Sequence, residues 1–339
     1  MGLGGNLMWS AVLADLHAES GTRCTVVHAP KLTDLLRGRL YDASVDLAGD
    51  PVLRHSPHAA FVPPRRRPAA ARWFDRKFRS LLTLLRLRRP FERAVLARAR
   101  AVAGSGGPRY VHLDLEIHSY AAGQRGNRLV WKTGGHAIQT MLRGFSARQS
   151  AETPRLWLTP EEVDAADRLL AEAGIRAPFL VVEPETNPEF FGDLRAWPFE
   201  RWSELAARLS ARGHHLVQVG LADARRIPGA ADLCGKTGFR EVAAVIGRAR
   251  LFLGTESGLM HTARAMGTDA VILWGGVTLP EFAGYPDHHA VICHRVSCAP
   301  CGNLGWCDNG RICMGSITVD EVEACVEERL ARPRVAPSP

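Results

Sequence analysis

Residues 251–275, LFLGTESGLMHTARAMGTDAVILWG, leave little choice of fold. Leu251-Phe252-Leu253 is a short apolar run of the kind buried inside a parallel sheet. Gly254 ends it. Thr255-Glu256-Ser257-Gly258 is a tight polar turn with helix-start residues. Met260 to Met266 carries a helix, which Gly267 closes. Ala270-Val271-Ile272-Leu273 is the next buried run. In this strand–turn–helix–strand unit the turn sits at a strand's carboxyl end, where open α/β sheets bind ligands. The N–H groups of Ser257, Gly258 and Leu259 are expected to be unpaired there. They lie at the positive end of a helix dipole, a setting that suits phosphate. Taken alone, the stretch is equally compatible with an ordinary turn that binds nothing.

The rest of the second half repeats the alternation. Helices are expected at about 160–173, 199–212, 239–248 and 318–331, and strands at 178–183, 214–219, 231–234 and 290–293. Thr318 with Glu321 reads as a capping box. Such alternation implies a parallel sheet covered on both faces. The first half reads less regularly, with strands near 24–29, 44–48 and 109–117, a helix near 31–37 and another from Ala137. The polar stretch 146–155 reads as a linker, dividing the chain into 1–150 and 151–339. With 339 residues and 46% hydrophobic content there is enough chain for two cores. No apolar run is long enough to span a membrane, and a cytoplasmic location is expected.

Charge is unevenly distributed. The formal net charge is +8, yet residues 65–100 carry thirteen cations against only Asp75 and Glu92. Trp73, Phe74, Phe78 and several leucines are interleaved with them. A solvated helix face is one reading. Peripheral contact with an anionic membrane surface is the other. No recognition motif points to specific nucleic acid.

The stretch RAWPFERWSEL, residues 195–205, sets Arg195 and Trp197-Pro198 just ahead of a helix. A cation with Trp-Pro, followed far downstream by Glu256-Ser257-Gly258-Leu259-Met260-His261, resembles the heptosyltransferase family, glycosyltransferase family 9. So does LCGKTGFREV (233–242), and so does the cysteine-bearing tail. The resemblance is strong over about 178–320. It implies a GT-B fold, two Rossmann-like domains with parallel sheets facing a central cleft: an N-terminal acceptor-side domain, 1–150, and a C-terminal nucleotide-sugar-binding domain, 151–339. It implies a glycosyltransferase that needs no cofactor for catalysis. Such an enzyme moves a sugar, heptose by resemblance, from a nucleotide-diphosphate donor such as ADP-heptose to a lipopolysaccharide-type or other glycan or glycolipid acceptor. On the donor it implies Arg195, Lys236, Thr237, Glu256, Ser257, Gly258, Leu259 and His261.

At the start of the chain, MGLGGNLMWSAVLADL resembles the family's glycine loop and following helix, but with no strand before it. The family places a first strand upstream. That strand is central in a doubly wound sheet, so its loss is expected to split the sheet. Gly4, Gly5 and Asn6 form the acceptor-side loop. Gly5 stands where the family carries its proposed catalytic Asp, and glycine accepts no proton. Glu116, Asp114 and His136 are the replacement candidates, the first two at the end of a strand and the last after Gly134-Gly135. Loss of the base leaves two other functions open: a nucleotide-sugar-binding protein without transfer, and a nucleotide-sugar epimerase or hydrolase.

Eight cysteines in a chain of this length do not form a small disulfide scaffold. Cys298, Cys301, Cys307 and Cys313 have the spacing C-x2-C-x5-C-x5-C, with glycines between them. Four thiolates would make a closed structural site for zinc, or iron. Buried thiols or one disulfide are the alternative. Cys24, Cys234, Cys293 and Cys325 lie in apolar contexts and are not expected to be ligands.

Overall fold

The computed structural model describes residues 3–20, 24–27, 34–36, 39, 43–45, 110–113, 121–125, 128–131, 135–143, 152–186, 191–303 and 305–333. They form two compact units. One is Leu13–Ile117 with Met1, and the other is Gly2–Val12 with His118–Pro339.

The first helix, α1 (Leu3–Ser20), contributes to both units. Residues 3–6, expected as a glycine loop, are its first turn. The glycines serve close packing: a Cβ on Gly4 would stand 2.6 Å from His261 Cδ2. The first unit is built on a parallel sheet of β1 (Cys24–Val27), β2 (Ala43–Val45) and β3 (Tyr110–Leu113), in the order β2-β1-β3. The expected split does not occur. β1 pairs directly with β3, Thr25 opposite Val111, and with β2 on its other side, Thr25 opposite Ala43. The basic stretch 65–100 lies outside the described residues, as do Asp114, Glu116 and His118.

In the second unit, β4 (Ala121–Arg125) and β5 (Arg128–Trp131) form an antiparallel hairpin that the sequence pattern did not announce. It docks on the cysteine-bearing loop: Leu129 N donates to Gly302 O at 2.7 Å, and Trp131 Nε1 to Val277 O at 3.0 Å. Gly302 has φ 62°, and a Cβ there would strike Leu129 O at 2.1 Å. Helix α2 (Ala137–Arg143) follows, then α3 (Pro160–Glu172). Thr159 and Glu162 cap α3 reciprocally in a capping box, with Pro160 at its first turn.

The main sheet has six strands: β6 (Phe179–Val182), β7 (His215–Gln218), β8 (Ala231–Asp232), β9 (Leu251–Thr255), β10 (Ala270–Leu273) and β11 (Ala290–Ile292). Every pairing is parallel, in the order β8-β7-β6-β9-β10-β11. The chain runs outward from β6 through β7 to β8, then returns to β9 beside β6. That reversal opens a crevice at the carboxyl ends of β6 and β9, the ligand position of a doubly wound sheet. β6, β9 and β10 are buried along their whole length, as their unbroken apolar runs require.

Helices α4 (Phe199–Ala211), α5 (Phe239–Arg248), α6 (Gly258–Ala265), α7 (Pro280–Ala283), α8 (Ile312–Gly315) and α9 (Val319–Ala331) complete the unit. Trp197 and Trp202 meet edge to face at 5.0 Å in the core, and Trp197 Nε1 donates to Ile317 O at 3.0 Å. Thus the Trp-Pro pair acts by packing: it anchors the 3-10 turn Gly192–Arg195 that presents Arg195. At α9 only half of the expected capping box forms. Thr318 accepts from Glu321 N at 3.2 Å, but the Glu321 carboxylate turns away to His294 Nε2 at 3.0 Å.

Candidate functional site

Two chain segments end at the crevice, and their side chains lock onto each other. From β9 come Thr255, Glu256 and Ser257, all buried, and from β6 comes Glu183. Ser257 is the N-cap of α6. Its Oγ accepts from Leu259 N at 3.1 Å and Met260 N at 3.2 Å, and donates to Glu183 Oε2 at 2.5 Å. Leu259 N–H, expected to be open, is therefore satisfied by the cap. Burial raises the Glu183 carboxyl to about 8, so it is predominantly neutral at pH 7.

Arg195 reaches the same turn from the 3-10 segment. Its Nη1 donates to Glu256 O at 3.2 Å and its Nη2 to Glu256 Oε1 at 2.9 Å, and both side chains are largely buried. Burial raises the Glu256 carboxyl, against the pull of the Arg195 charge. The guanidinium also lies over the Phe191 ring, 4.2 Å from its centre, and Phe191 takes a left-handed backbone at φ 65°. Trp131 flanks Phe191 at 6.4 Å and Phe282 at 5.2 Å. Among the described residues, Arg195 Nε, Thr255 Oγ1 and Glu256 Oε2 are buried without a hydrogen bond of good geometry, though the Thr278 hydroxyl lies close enough to act on the Glu256 carboxylate. Three such atoms around one turn mark a place where a polar ligand or water completes the bonding.

One helical turn further on, α6 enters a different environment. His261 Nδ1 and the Tyr285 hydroxyl share a hydrogen bond of 2.6 Å. His136, His261 and His289 surround Tyr285, with ring centres at 5.5, 5.5 and 5.8 Å. Burial pulls His261 and His289 down to about 3 and His136 down to about 4, and pushes the Tyr285 hydroxyl up. His136 has both nitrogens engaged: Nε2 with Gly284 O at 3.0 Å, and Nδ1 accepting from Ile138 N at 3.2 Å. It caps α2, and as placed it has no free nitrogen to take a substrate proton.

The residues read from the sequence thus divide. Arg195, Glu256, Ser257, Gly258, Leu259 and His261 gather on the β9–α6 turn and the helix it opens. Gly4 packs against His261, while Gly5 and Asn6 are buried in α1. Leu3 covers Gly258, where a Cβ would stand 3.1 Å from its Cδ2. Lys236 and Thr237 follow β8, three strands from β9 on the same sheet edge, roughly 14 Å away at the usual strand spacing. Lys236 Nζ donates to Asp232 O at 2.8 Å.

The cysteines do not form the expected tetrahedron. Cys298, Cys301, Cys307 and Cys313 are free thiols, and no group among the described residues is arranged to hold a metal ion. The thiols have other engagements. Cys307 Sγ accepts from Arg311 N at 3.4 Å, and buried Cys313 packs its Sγ at 3.4 Å from where a Gly276 Cβ would stand. Cys301 still has the other three thiols within electrostatic reach.

The model of glycosyltransferase family 9 (heptosyltransferase) matches residues 123–305, more than half of the chain. The chain belongs to this family. Lipopolysaccharide heptosyltransferase 3 of Escherichia coli is 28% identical over 120 residues, a stretch covering 32% of this chain and 34% of that relative. A solved family 9 glycosyl transferase from Veillonella parvula aligns over 97% of this chain and 95% of its own, with TM-score 0.61 and 16% identity. The E. coli ADP-heptose lipopolysaccharide heptosyltransferase II aligns over 97% and 96%, with TM-score 0.57 and 16% identity. The dodecameric iron-containing heptosyltransferase TibC, solved with ADP-D-β-D-heptose, aligns over 97% and 74%, with TM-score 0.58 and 16% identity. At this identity the three structures show the fold, the GT-B arrangement of two Rossmann-like domains. Among family 9 residues here, Glu183, Thr255, Phe191 and Tyr285 were not read from the sequence. Glu183 had a signal: a carboxylate directly after an apolar strand run and before Pro184.

Proposed function

We propose that this family 9 chain transfers a sugar, heptose by likeness to its relatives, from a nucleoside-diphosphate donor such as ADP-heptose to a lipopolysaccharide-type or other glycan acceptor. The observation that carries the reading is the β9–α6 turn. It joins a helix N-terminus, a buried arginine and three buried polar atoms without a hydrogen bond of good geometry at the crevice of the sheet. Fixed donors of this kind stabilise charge developing on a leaving diphosphate without reorganising. In this reading residues 151–339 hold the donor and 1–150 face the acceptor. Arg195 exchanges part of its pairing with Glu256 for the diphosphate, and Lys236 and Thr237 serve the nucleoside end. Gly5 supplies no base, so Glu116 or Asp114 takes the acceptor proton. Residues 65–100 hold the protein against anionic lipid headgroups.

Gly5 also favours a second reading, binding of a nucleotide sugar without transfer. One pair of measurements separates the two. A thermal-shift screen over ADP-, UDP- and GDP-sugars reports binding, because a ligand of the native state raises its apparent stability. Acceptor-dependent release of nucleotide reports transfer. No shift with any of the sugars refutes both readings, and a shift without acceptor-dependent release leaves the second. Loss of transfer on Glu116→Gln or Asp114→Asn, with binding intact, identifies the base.

A further inference from the structure

We propose that Glu183 is a positioning residue for donor binding: held on Ser257 Oγ, it fixes the capped N-terminus of α6, whose positive end a diphosphate approaches. The inference rests on the reading of this turn as the donor site. Glu183 follows β6 directly, on the strand that borders the reversal of the sheet, and its own N–H is tied to Leu253 O at 2.8 Å. Its carboxyl is buried and bonded to the hydroxyl that caps α6. The carboxyl lies alongside Gly254, where a Cβ would stand in ordinary contact with Glu183 Oε2 at 3.6 Å and would clash instead with the Phe252 ring at 2.8 Å. Backbone and side chain of Glu183 therefore brace the end of β9 and the start of α6 together.

The charge state of the carboxyl matters as much as its position. An anion beside a helix N-terminus is stabilised by the dipole, and it competes there with any other anion. A neutral carboxyl braces the turn and leaves its positive potential to the ligand. With burial raising Glu183 to about 8, the turn is in the receptive state at neutral pH and loses it as the solution becomes alkaline. Other charges near it are already committed. Glu256 is paired with Arg195 on the β9–α6 turn, and Glu185 with Arg225 on the continuation of its own strand. His261 on α6 is neutral, β9 carries no ionisable side chain, and His215 lies at the far end of β7.

The test is calorimetric titration of the full chain with ADP between pH 7 and 9.5, corrected for the residual protonation of the terminal phosphate near pH 7, whose second pKa is about 6. UDP and GDP run as parallel probes up to pH 8, below the ionisation of uracil and guanine. Wild-type affinity should fall by about tenfold across this range, the equivalent of one pKa unit of coupling between ligand and carboxyl. Glu183→Gln, isosteric with the neutral acid, should lose the alkaline fall: its affinity at pH 9.5 should equal its own affinity at pH 7. A residue that merely held the fold together would weaken binding at every pH and leave the alkaline fall in place. A Glu183→Gln profile that keeps that fall overturns the inference while the donor site stands. Absence of binding by wild type to all three diphosphates overturns both. A measurement on wild type alone stands beside the variant: titrations at pH 8.5 in buffers of different ionisation heat should show proton uptake on ADP binding, and no uptake overturns the proposal.

Discussion

Helix α6 joins two buried clusters that treat charge in opposite ways. At its N-terminus, Arg195, Glu256, Ser257 and Glu183 meet around a turn that retains buried polar atoms without a hydrogen bond of good geometry. One turn on, His261, His136, His289 and Tyr285 pack ring against ring, and burial favours the neutral form of each. Desolvation acts on both. The difference lies in the chemistry it acts on: it holds back the loss of protons from carboxyls at the turn and the gain of protons by imidazoles in the cluster. In the proposed reading the turn receives the donor's diphosphate, and the cluster packs against α6 one turn further on.

Acid should separate the two most sharply. The three imidazoles have folded values of about 3 to 4, below the ordinary 6.5. The unfolded chain therefore binds their protons first, and their stabilisation is complete above pH 6.5 and lost as pH falls through the folded values. Each is worth about 1.4 kcal/mol per pH unit in that window. Glu183 and Glu256 oppose the trend above their ordinary 4.5, because their raised folded values make the native state the better proton binder. The expected curve declines gently from pH 6.5 to 4.5. Below 4.5 each imidazole continues to lose about 1.4 kcal/mol per pH unit until its folded value is reached. Asp167, Asp232 and Glu323, whose carboxyls are held below the ordinary range, join them there. Urea unfolding across this range checks it. His289→Gln should remove about a third of the imidazole share; a profile identical to wild type would show that the cluster does not carry the acid sensitivity.

The turn should be broken by Arg195→Ala. Removing one partner of a buried ion pair leaves Glu256 uncompensated, at a cost of about 3–5 kcal/mol. Glu256, whose carboxyl burial already raises, relieves part of this by taking up a proton, so the loss should grow as pH rises. Donor binding should weaken as well, by about 1.5–3 kcal/mol for one charge-assisted contact. Urea midpoints and ADP titration read the two effects separately. Wild-type values in both would remove Arg195 from the site.

Much of this was legible in the chain. The unbroken apolar runs at 251–253 and 270–273 read as buried parallel strands and are so, and the polar turn before the helical run read as a helix start, with Ser257 as its cap in the structure. Other features depend on contacts that no local pattern encodes. Gly4 reads as a loop residue because glycine usually serves φ, yet here it serves close approach to His261. The pairing of β1 with β3 joins runs separated by a long stretch of chain. The C-x2-C spacing of Cys298 and Cys301 has the form of a metal knuckle, but Cys307 and Cys313 spend their thiols on a backbone N–H and on packing. His289 lies four residues from Tyr285 and could be read locally, its N–H bonded to Tyr285 O, but His136 and His261 come from distant segments and give no sign in the sequence of gathering round the same ring.

The smallest expected effect isolates the cap that joins Glu183 to α6. Ser257 Oγ accepts from two helix N–H groups and also donates a hydrogen bond to Glu183 Oε2. Ser257→Ala removes all three bonds. Loss of an N-cap costs about 0.5–2 kcal/mol. The total is expected near the upper end, because Glu183 is left buried without its hydrogen-bond donor, and a buried acceptor without a partner is costly. Ser257→Thr keeps the hydroxyl and should recover most of the loss. Ser257→Gly should fall between them, since glycine at an N-cap loses only a few tenths relative to serine in exposed helices but leaves Glu183 equally unpaired. The ranking is what distinguishes the accounts. If Glycine matches Threonine, the hydroxyl acts only as an ordinary cap and Glu183 gains nothing from it. If Glycine matches Alanine, the bond to Glu183 dominates, and the N-terminus of α6 is held chiefly from β6. Urea unfolding at pH 6, where Glu183 is neutral, reads the three variants without interference from its charge.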